Sequence, residues 1–161
     1  MTLPALTRES LVTASAEETL AFGRRLAARL APPLLVFLHG ELGAGKTTLA
    51  KGIISGLGVA REEDVTSPTF TLVHEFRGPA RAPEAAGAAP LRVYHIDLYR
   101  IEGPAALDSL GLDDLFAAPA IVLVEWPERW TLRSDWTVLR IRLAALEDGR
   151  HSMELSMEPS A

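Results

Sequence analysis

The chain has 161 residues, 48% of them apolar, and a formal net charge of -5. That length holds one domain with a real core and is too short for two ordinary ones, and the acidic balance argues against a protein that coats nucleic acid unaided. With no cysteine, disulfides, thiolate nucleophiles and cysteine-held metal or iron–sulfur sites are excluded; with neither asparagine nor glutamine, so are an Asn-Lys-x-Asp guanine-specificity motif and a glutamine that orients an attacking water.

Met1 to Ser15 lacks the basic and apolar regions of a secretory signal, and no apolar run approaches bilayer length, so the expectation is a cytoplasmic protein without a membrane segment, monomeric on its own. From Ser15 to Leu30, apolar residues fall at helical spacing behind a Ser15/Glu18 capping box. Pro32 and Pro33 end that helix, and Leu34 to Leu38 reads as a central strand buried on both faces. A glycine loop follows, then a helix from about Lys46 to Leu57, closed by Gly56 and Gly58. After Pro68, β-branched and aromatic residues to Phe76 favour a strand, and Leu91 to Leu98 a second. Between them Gly78 to Pro90 reads as a flexible loop joining an antiparallel pair, because too few helix-compatible residues remain for a crossover. Short helices are expected at Pro104 to Leu110 and Leu112 to Phe116, a buried strand at Ala120 to Glu125, and an edge strand at Trp136 to Leu143. The organisation is then a single domain over residues 1–146 and a frayed tail over residues 147–161.

The segment Gly40-Glu41-Leu42-Gly43-Ala44-Gly45-Lys46-Thr47 fits G-x-x-x-x-G-K-[ST] at every fixed position, between a buried strand and a helix. Glycines let backbone N–H groups turn around phosphate oxygens, and the helix points its positive end at the same anion. The nucleotide-binding set is therefore Glu41, Leu42, Gly43, Ala44, Gly45, Lys46, Thr47 and Thr48, with Lys46 on the β- and γ-phosphates, Thr47 on magnesium and Thr48 near the α-phosphate. A nucleoside triphosphate and magnesium are the expected cofactors. The metal shell needs an acid at a neighbouring strand end, and two stand ready: Asp97 after Val93-Tyr94-His95-Ile96, and Glu125 after Ile121-Val122-Leu123-Val124. One would serve the metal and the other polarise water, and the spacing leaves the division open; Glu125, Asp97 and Lys46 form the catalytic set. His95 reads either as orienting a phosphate or a partner group or, the preferred reading, as satisfied by local hydrogen bonds; His39 reads as scaffold, and His74 and His151 belong to no constellation. Trp126 either stacks on a base or docks a partner at the rim of the site, or belongs to the core.

The glycine loop with Thr48, then Ser67-Pro68-Thr69-Phe70, then Tyr94-His95-Ile96-Asp97-Leu98-Tyr99-Arg100, then Val124-Glu125-Trp126-Pro127-Glu128, in that order, resemble the TsaE (YjeE) family over about Ser15 to Arg142. The resemblance implies a three-layer α/β/α P-loop domain with a mixed parallel and antiparallel sheet. It also implies an ATPase of tRNA threonylcarbamoyladenosine synthesis that is weak alone and depends on TsaD-type and TsaB-type subunits, meeting tRNA only indirectly. By motif position it assigns phosphate and magnesium roles to Lys46 and Thr47, acidic roles to Asp97 and Glu125, and a switch-like segment to Ser67 and Thr69. Glu41 stands where the family more often has aspartate, and the loop from Gly78 to Pro90 is longer than the family pattern. The rival readings are a small-molecule P-loop kinase, although no arginine-rich lid is evident, and a non-catalytic module that docks a partner when nucleotide is bound.

Overall fold

The computed structural model describes residues 8–68, 72–80 and 88–159. Its centre is one seven-stranded sheet of mixed direction with helices packed on it, an α/β fold. The strands are β1 (Glu9–Thr13), β2 (Leu34–His39), β3 (Val73–Gly78), β4 (Leu91–Asp97), β5 (Ile121–Glu125), β6 (Thr137–Ala145) and β7 (His151–Glu158). They lie in the order β1-β7-β6-β2-β5-β4-β3. The four inner strands β6, β2, β5 and β4 run parallel, and β7, β1 and β3 extend the sheet antiparallel on either side.

Why β2 and β5 sit in the middle follows from their composition. Leu34 to Leu38 and Ile121 to Val124 are apolar at consecutive positions, so both faces of each strand require cover. One face is covered by the helices α1 (Ala16–Ala27) and α2 (Lys46–Gly56), through Phe22, Leu26, Leu49, Ile53 and Ile54. The other is covered by the short helix α3 (Pro104–Asp108), the 3-10 turn at Leu112–Ala117 and the aromatic residues Phe116, Trp130 and Trp136.

The start of α1 is capped as expected at Ser15, whose hydroxyl accepts from the Glu18 N–H at 3.1 Å. The Glu18 carboxylate reaches one residue further back than a capping box requires and accepts from the Ala14 N–H. Helices α1 and α2 then cross with backbones in contact. A Cβ on Gly52 would lie 2.5 Å from the Leu20 carbonyl oxygen, and one on Gly23 would lie 2.9 Å from the Gly52 backbone. That close crossing fixes where the N-terminus of α2 points.

Three expectations need correction. The strand beginning near Trp136 is not an edge: β6 is paired on both sides, with β2 and with β7. Residues 147–161 do not form a frayed tail, because His151–Glu158 is β7, with Met153 and Leu155 fully buried in the main core. Its serines and glutamates alternate with apolar residues, the period-2 pattern of a strand with one wet face. The strand β1, which pairs with β7, has no counterpart in the sequence reading. The antiparallel joining of β3 to β4 is as expected, although Gly78 still pairs with Leu91; residues 81–87 of the flexible loop, and Thr69 to Thr71 ahead of β3, lie outside the described residues. Among the described residues no helix is long and apolar enough to cross a membrane.

Two stability measurements check this architecture. Alanine at Gly52 improves helix propensity by about 1 kcal/mol. The lost helix contact should nevertheless outweigh that and give a net destabilisation of about 1–3 kcal/mol in urea titration. Leu155→Ala should cost about 2–5 kcal/mol, as for a core leucine; a change within error would return this segment to the surface.

Candidate functional site

The parallel register brings three strand ends level. Leu38 pairs with Glu125, and Glu125 with Asp97, so β2, β5 and β4 finish side by side. On β2 the residues Leu34, Val36 and Leu38 face α1 and α2, and on β5 Ile121 and Leu123 do the same. Strand alternation therefore turns Glu125, His95 and Asp97 to the face that carries α2. The loop that follows β2 lies over these ends.

Three glycines make that loop possible. At Gly40 a Cβ would sit 2.7 Å from the Leu143 carbonyl oxygen and 2.8 Å from the Ala44 Cβ. Gly43 and Gly45 adopt φ of 82° and 101°, the left-handed region open to glycine. Gly45 is the N-cap of α2, with no side-chain cap and no acidic residue in the first turn. The N–H groups of that turn thus keep their donors and their positive field for an anion. The cavity beside them has a volume of about 450 Å³ and runs from Ala16 and Thr19 along the loop to Ser67, Asp97, Glu125 and Trp126.

Lys46 is 6% exposed. Its ammonium donates to the Gly40 carbonyl and, at 3.3 Å, to the Glu41 carbonyl, and it lies 3.9 Å from the centroid of the Trp126 ring. Burial pushes its pKa below the usual lysine value, and the carboxylates of Glu125, Glu128, Asp97 and Glu41 push the other way. The Thr47 hydroxyl donates to Glu125 Oε1 at 3.0 Å, and Glu125 Oε2 lies 2.6 Å from His95 Nε2. Asp97 Oδ1 accepts from the Tyr99 N–H at 2.9 Å and Oδ2 from the Ser67 hydroxyl at 3.5 Å. Asp97 and Glu125 are both almost wholly buried.

The donors that converge here are a hydroxyl and two carboxylates, a hard oxygen set suited to magnesium. No cluster of three or more acids, histidines or cysteines able to hold a metal occurs among the described residues.

Lys46, Thr47, Thr48, Asp97, Glu125, Ser67 and Trp126 thus line one cavity, together with Glu41 to Gly45. Leu42, at the outer turn of the loop, is 67% exposed. Thr69 lies outside the described residues. Trp126 combines both readings offered for it: it lines the cavity and also packs against the second core. It has a φ of 62°, and its ring lies 5.1 Å from that of Tyr99, with the Arg129 guanidinium 5.8 Å away. His39 points to the opposite face, where the Arg140 guanidinium donates to its Nε2 and Glu128 lies 3.4 Å from Nδ1. Burial and then Arg140 hold its pKa below the usual histidine value.

Two histidines enter the site that sequence reasoning set aside. His95 does form a local hydrogen bond, but its partner is Glu125 itself. Its place two residues before Asp97 was a usable signal, though only the pairing of β4 with β5 reveals the partner. His151 opens β7 and donates from Nδ1 to the Ala44 carbonyl at 2.9 Å, bracing the loop from the segment expected to fray.

Comparison with known proteins gives the family of the chain. The family model for "Threonylcarbamoyl adenosine biosynthesis protein TsaE" matches residues 13–153. The TsaE protein of Haemophilus influenzae is 41% identical over 96 residues, 60% of this chain and 53% of the relative, so the match spans about half the length of that protein. The TsaE protein of Nostoc sp. is 35% identical over 160 residues, covering 97% of this chain and 89% of the relative. Among solved structures, YdiB of Bacillus subtilis superposes with a TM-score of 0.65 at 29% identity, covering 95% of this chain and 86% of that one. The shared architecture, the ordered motifs at the strand ends and the extent of the family match make this chain a member of the TsaE family of threonylcarbamoyl adenosine biosynthesis proteins.

Proposed function

We propose that this chain is a cytoplasmic, magnesium-dependent P-loop ATPase whose hydrolysis drives the cycle of a tRNA-modifying complex. The observation that carries the reading is the contact between Thr47 on the first turn of α2 and Glu125 at the end of β5. It joins the hydroxyl that would ligate magnesium to the acid that would hold the metal's water shell, beside a loop built to cradle phosphate.

In this reading the loop amides and the N-terminus of α2 hold the triphosphate. Lys46 exchanges the carbonyls of Gly40 and Glu41 for β- and γ-phosphate oxygens. Thr47, Glu125 and Asp97 form the metal side of the site. Magnesium, when bound there, neutralises charge that develops between the β- and γ-phosphates. Asp97 and Glu125 share the remaining task of orienting water, since the chain has no glutamine for it.

Each oxygen of both acids already accepts a hydrogen bond: Glu125 from Thr47 and His95, Asp97 from Tyr99 and Ser67. A carboxylate so engaged is a poor general base, which favours slow turnover by the isolated chain and acceleration by partners. In this reading those partners are TsaD-type and TsaB-type subunits that transfer the threonylcarbamoyl group to the adenosine beside the anticodon; the support is membership in a family of threonylcarbamoyl adenosine biosynthesis proteins. The net charge of -5 favours contact with tRNA through them rather than directly.

Phosphate release from ATP, measured with and without the partner subunits, tests the reading; no release under either condition refutes it. Lys46→Ala should weaken triphosphate binding by about tenfold to a hundredfold, the loss of one charge-assisted hydrogen bond set, in a calorimetric titration. Glu125→Ala should leave nucleotide binding measurable and reduce turnover by about a hundredfold or more. Full activity in that variant would remove Glu125 from the mechanism.

A further inference from the structure

We infer that His95 is a positioning residue that sets the orientation of the Glu125 carboxylate, an inference that rests on the magnesium–ATP reading of the site. The two side chains meet across neighbouring parallel strands. His95 is level with Leu123, and Asp97 with Glu125, so the imidazole reaches along the strand direction, past its own register partner, to bring Nε2 within 2.6 Å of Glu125 Oε2. The side chains are 0% and 3% exposed, so water does not compete for either atom.

A ring nitrogen this close to a carboxylate oxygen carries the proton and donates it. The other nitrogen, Nδ1, is buried and has no hydrogen-bond partner among the described residues. Enclosing a polar nitrogen without a partner is unfavourable, and an aromatic hydrocarbon ring would fill the same space without that cost. The position holds histidine all the same, so the reason for the imidazole lies in what Nε2 does.

What it does is pin one corner of a carboxylate whose other corner is held from a different element. Oε2 is tied to β4 through His95, and Oε1 accepts from Thr47 on α2. The carboxylate plane is thereby fixed, and Oε1 is the oxygen turned toward the loop. Without His95 the carboxylate can rotate and spend either oxygen, or both, on the Thr47 hydroxyl. Asp97 needs no such partner, because the Tyr99 N–H of its own chain segment holds it. Loss of an outer partner of this kind typically costs about tenfold to a hundredfold in metal affinity or activity.

The test uses the full chain and compares ATP affinity with magnesium and with chelator for the wild type, His95→Gln and His95→Phe. Glutamine retains a donor at similar reach; phenylalanine keeps the ring and loses both nitrogens. His95→Phe should lower the magnesium-dependent gain in ATP affinity by about tenfold or more, and His95→Gln should stay within about threefold of wild type. Affinity without metal should be equal in all three. A full magnesium gain in folded His95→Phe overturns the inference, as does an equal loss in both variants that follows their thermal midpoints. Absence of a magnesium gain in the wild type would refute the magnesium–ATP reading instead. Nitrogen NMR of the wild-type imidazole gives an answer that needs no variant: a proton on Nε2 is expected, and a ring protonated on Nδ1 alone overturns the assignment.

Discussion

A carboxylate enclosed at the end of a central strand is the constraint from which the rest of this site follows. Glu125 is 2% exposed, and a carboxylate taken out of water must recover its lost hydration from fixed donors. The donors come from opposite sides, the Thr47 hydroxyl from α2 and the His95 imidazole from β4. Each arrives only if its element is docked correctly. The helix must start within hydrogen-bond reach of the strand end, and β4 must lie beside β5 in one register.

The backbone meets both demands with simple means. Contact between the glycines of α1 and α2 lets the helices cross closely enough to seat α2 over the sheet. The parallel ladder then sets the ends of β2, β5 and β4 at one height. In open α/β sheets ligands collect at such carboxyl ends, because loops diverge there and helix N-termini point inward. Here the loop after β2 supplies the positive field, and the acids of β4 and β5 supply a negative counterpart a few ångströms away.

Lys46 stands between these opposed fields. Burial disfavours its charge, four nearby carboxylates favour it, and its ammonium is held by loop carbonyls and the face of Trp126. A cation tethered by neutral groups can be transferred to a phosphate without breaking a strong ion pair. The two acids are the opposite case, since every one of their oxygens is already engaged. Under the proposed function, phosphate binding is thus well prepared within the chain while water activation is not, a division that would suit a nucleotide cycle governed by other subunits.

Much of this was legible in the residues. The glycine loop announces itself, because its pattern records backbone conformations that other residues do not adopt; Gly40 and Gly45 are where they are for that reason. The buried strands β2 and β5 are equally plain, since apolar residues at consecutive positions need cover on two faces. Asp97 and Glu125 could be named from the ends of β4 and β5, and the family from the motifs around them. What the sequence could not express was pairing between distant segments. The strand β1 is only five residues long, and the alternation along the eight residues of β7 does not say what they pair with; β1 is a strand because it pairs with β7, and β7 in turn completes β6. His151 became a brace of the loop only when β7 took its place. His95 acquired a partner only when β4 lay against β5. The local requirements of loop and core were written in the sequence, because they concern single residues and near neighbours; the partners of buried polar groups were decided by the tertiary structure, because a hydrogen bond depends on two atoms that the chain order keeps apart.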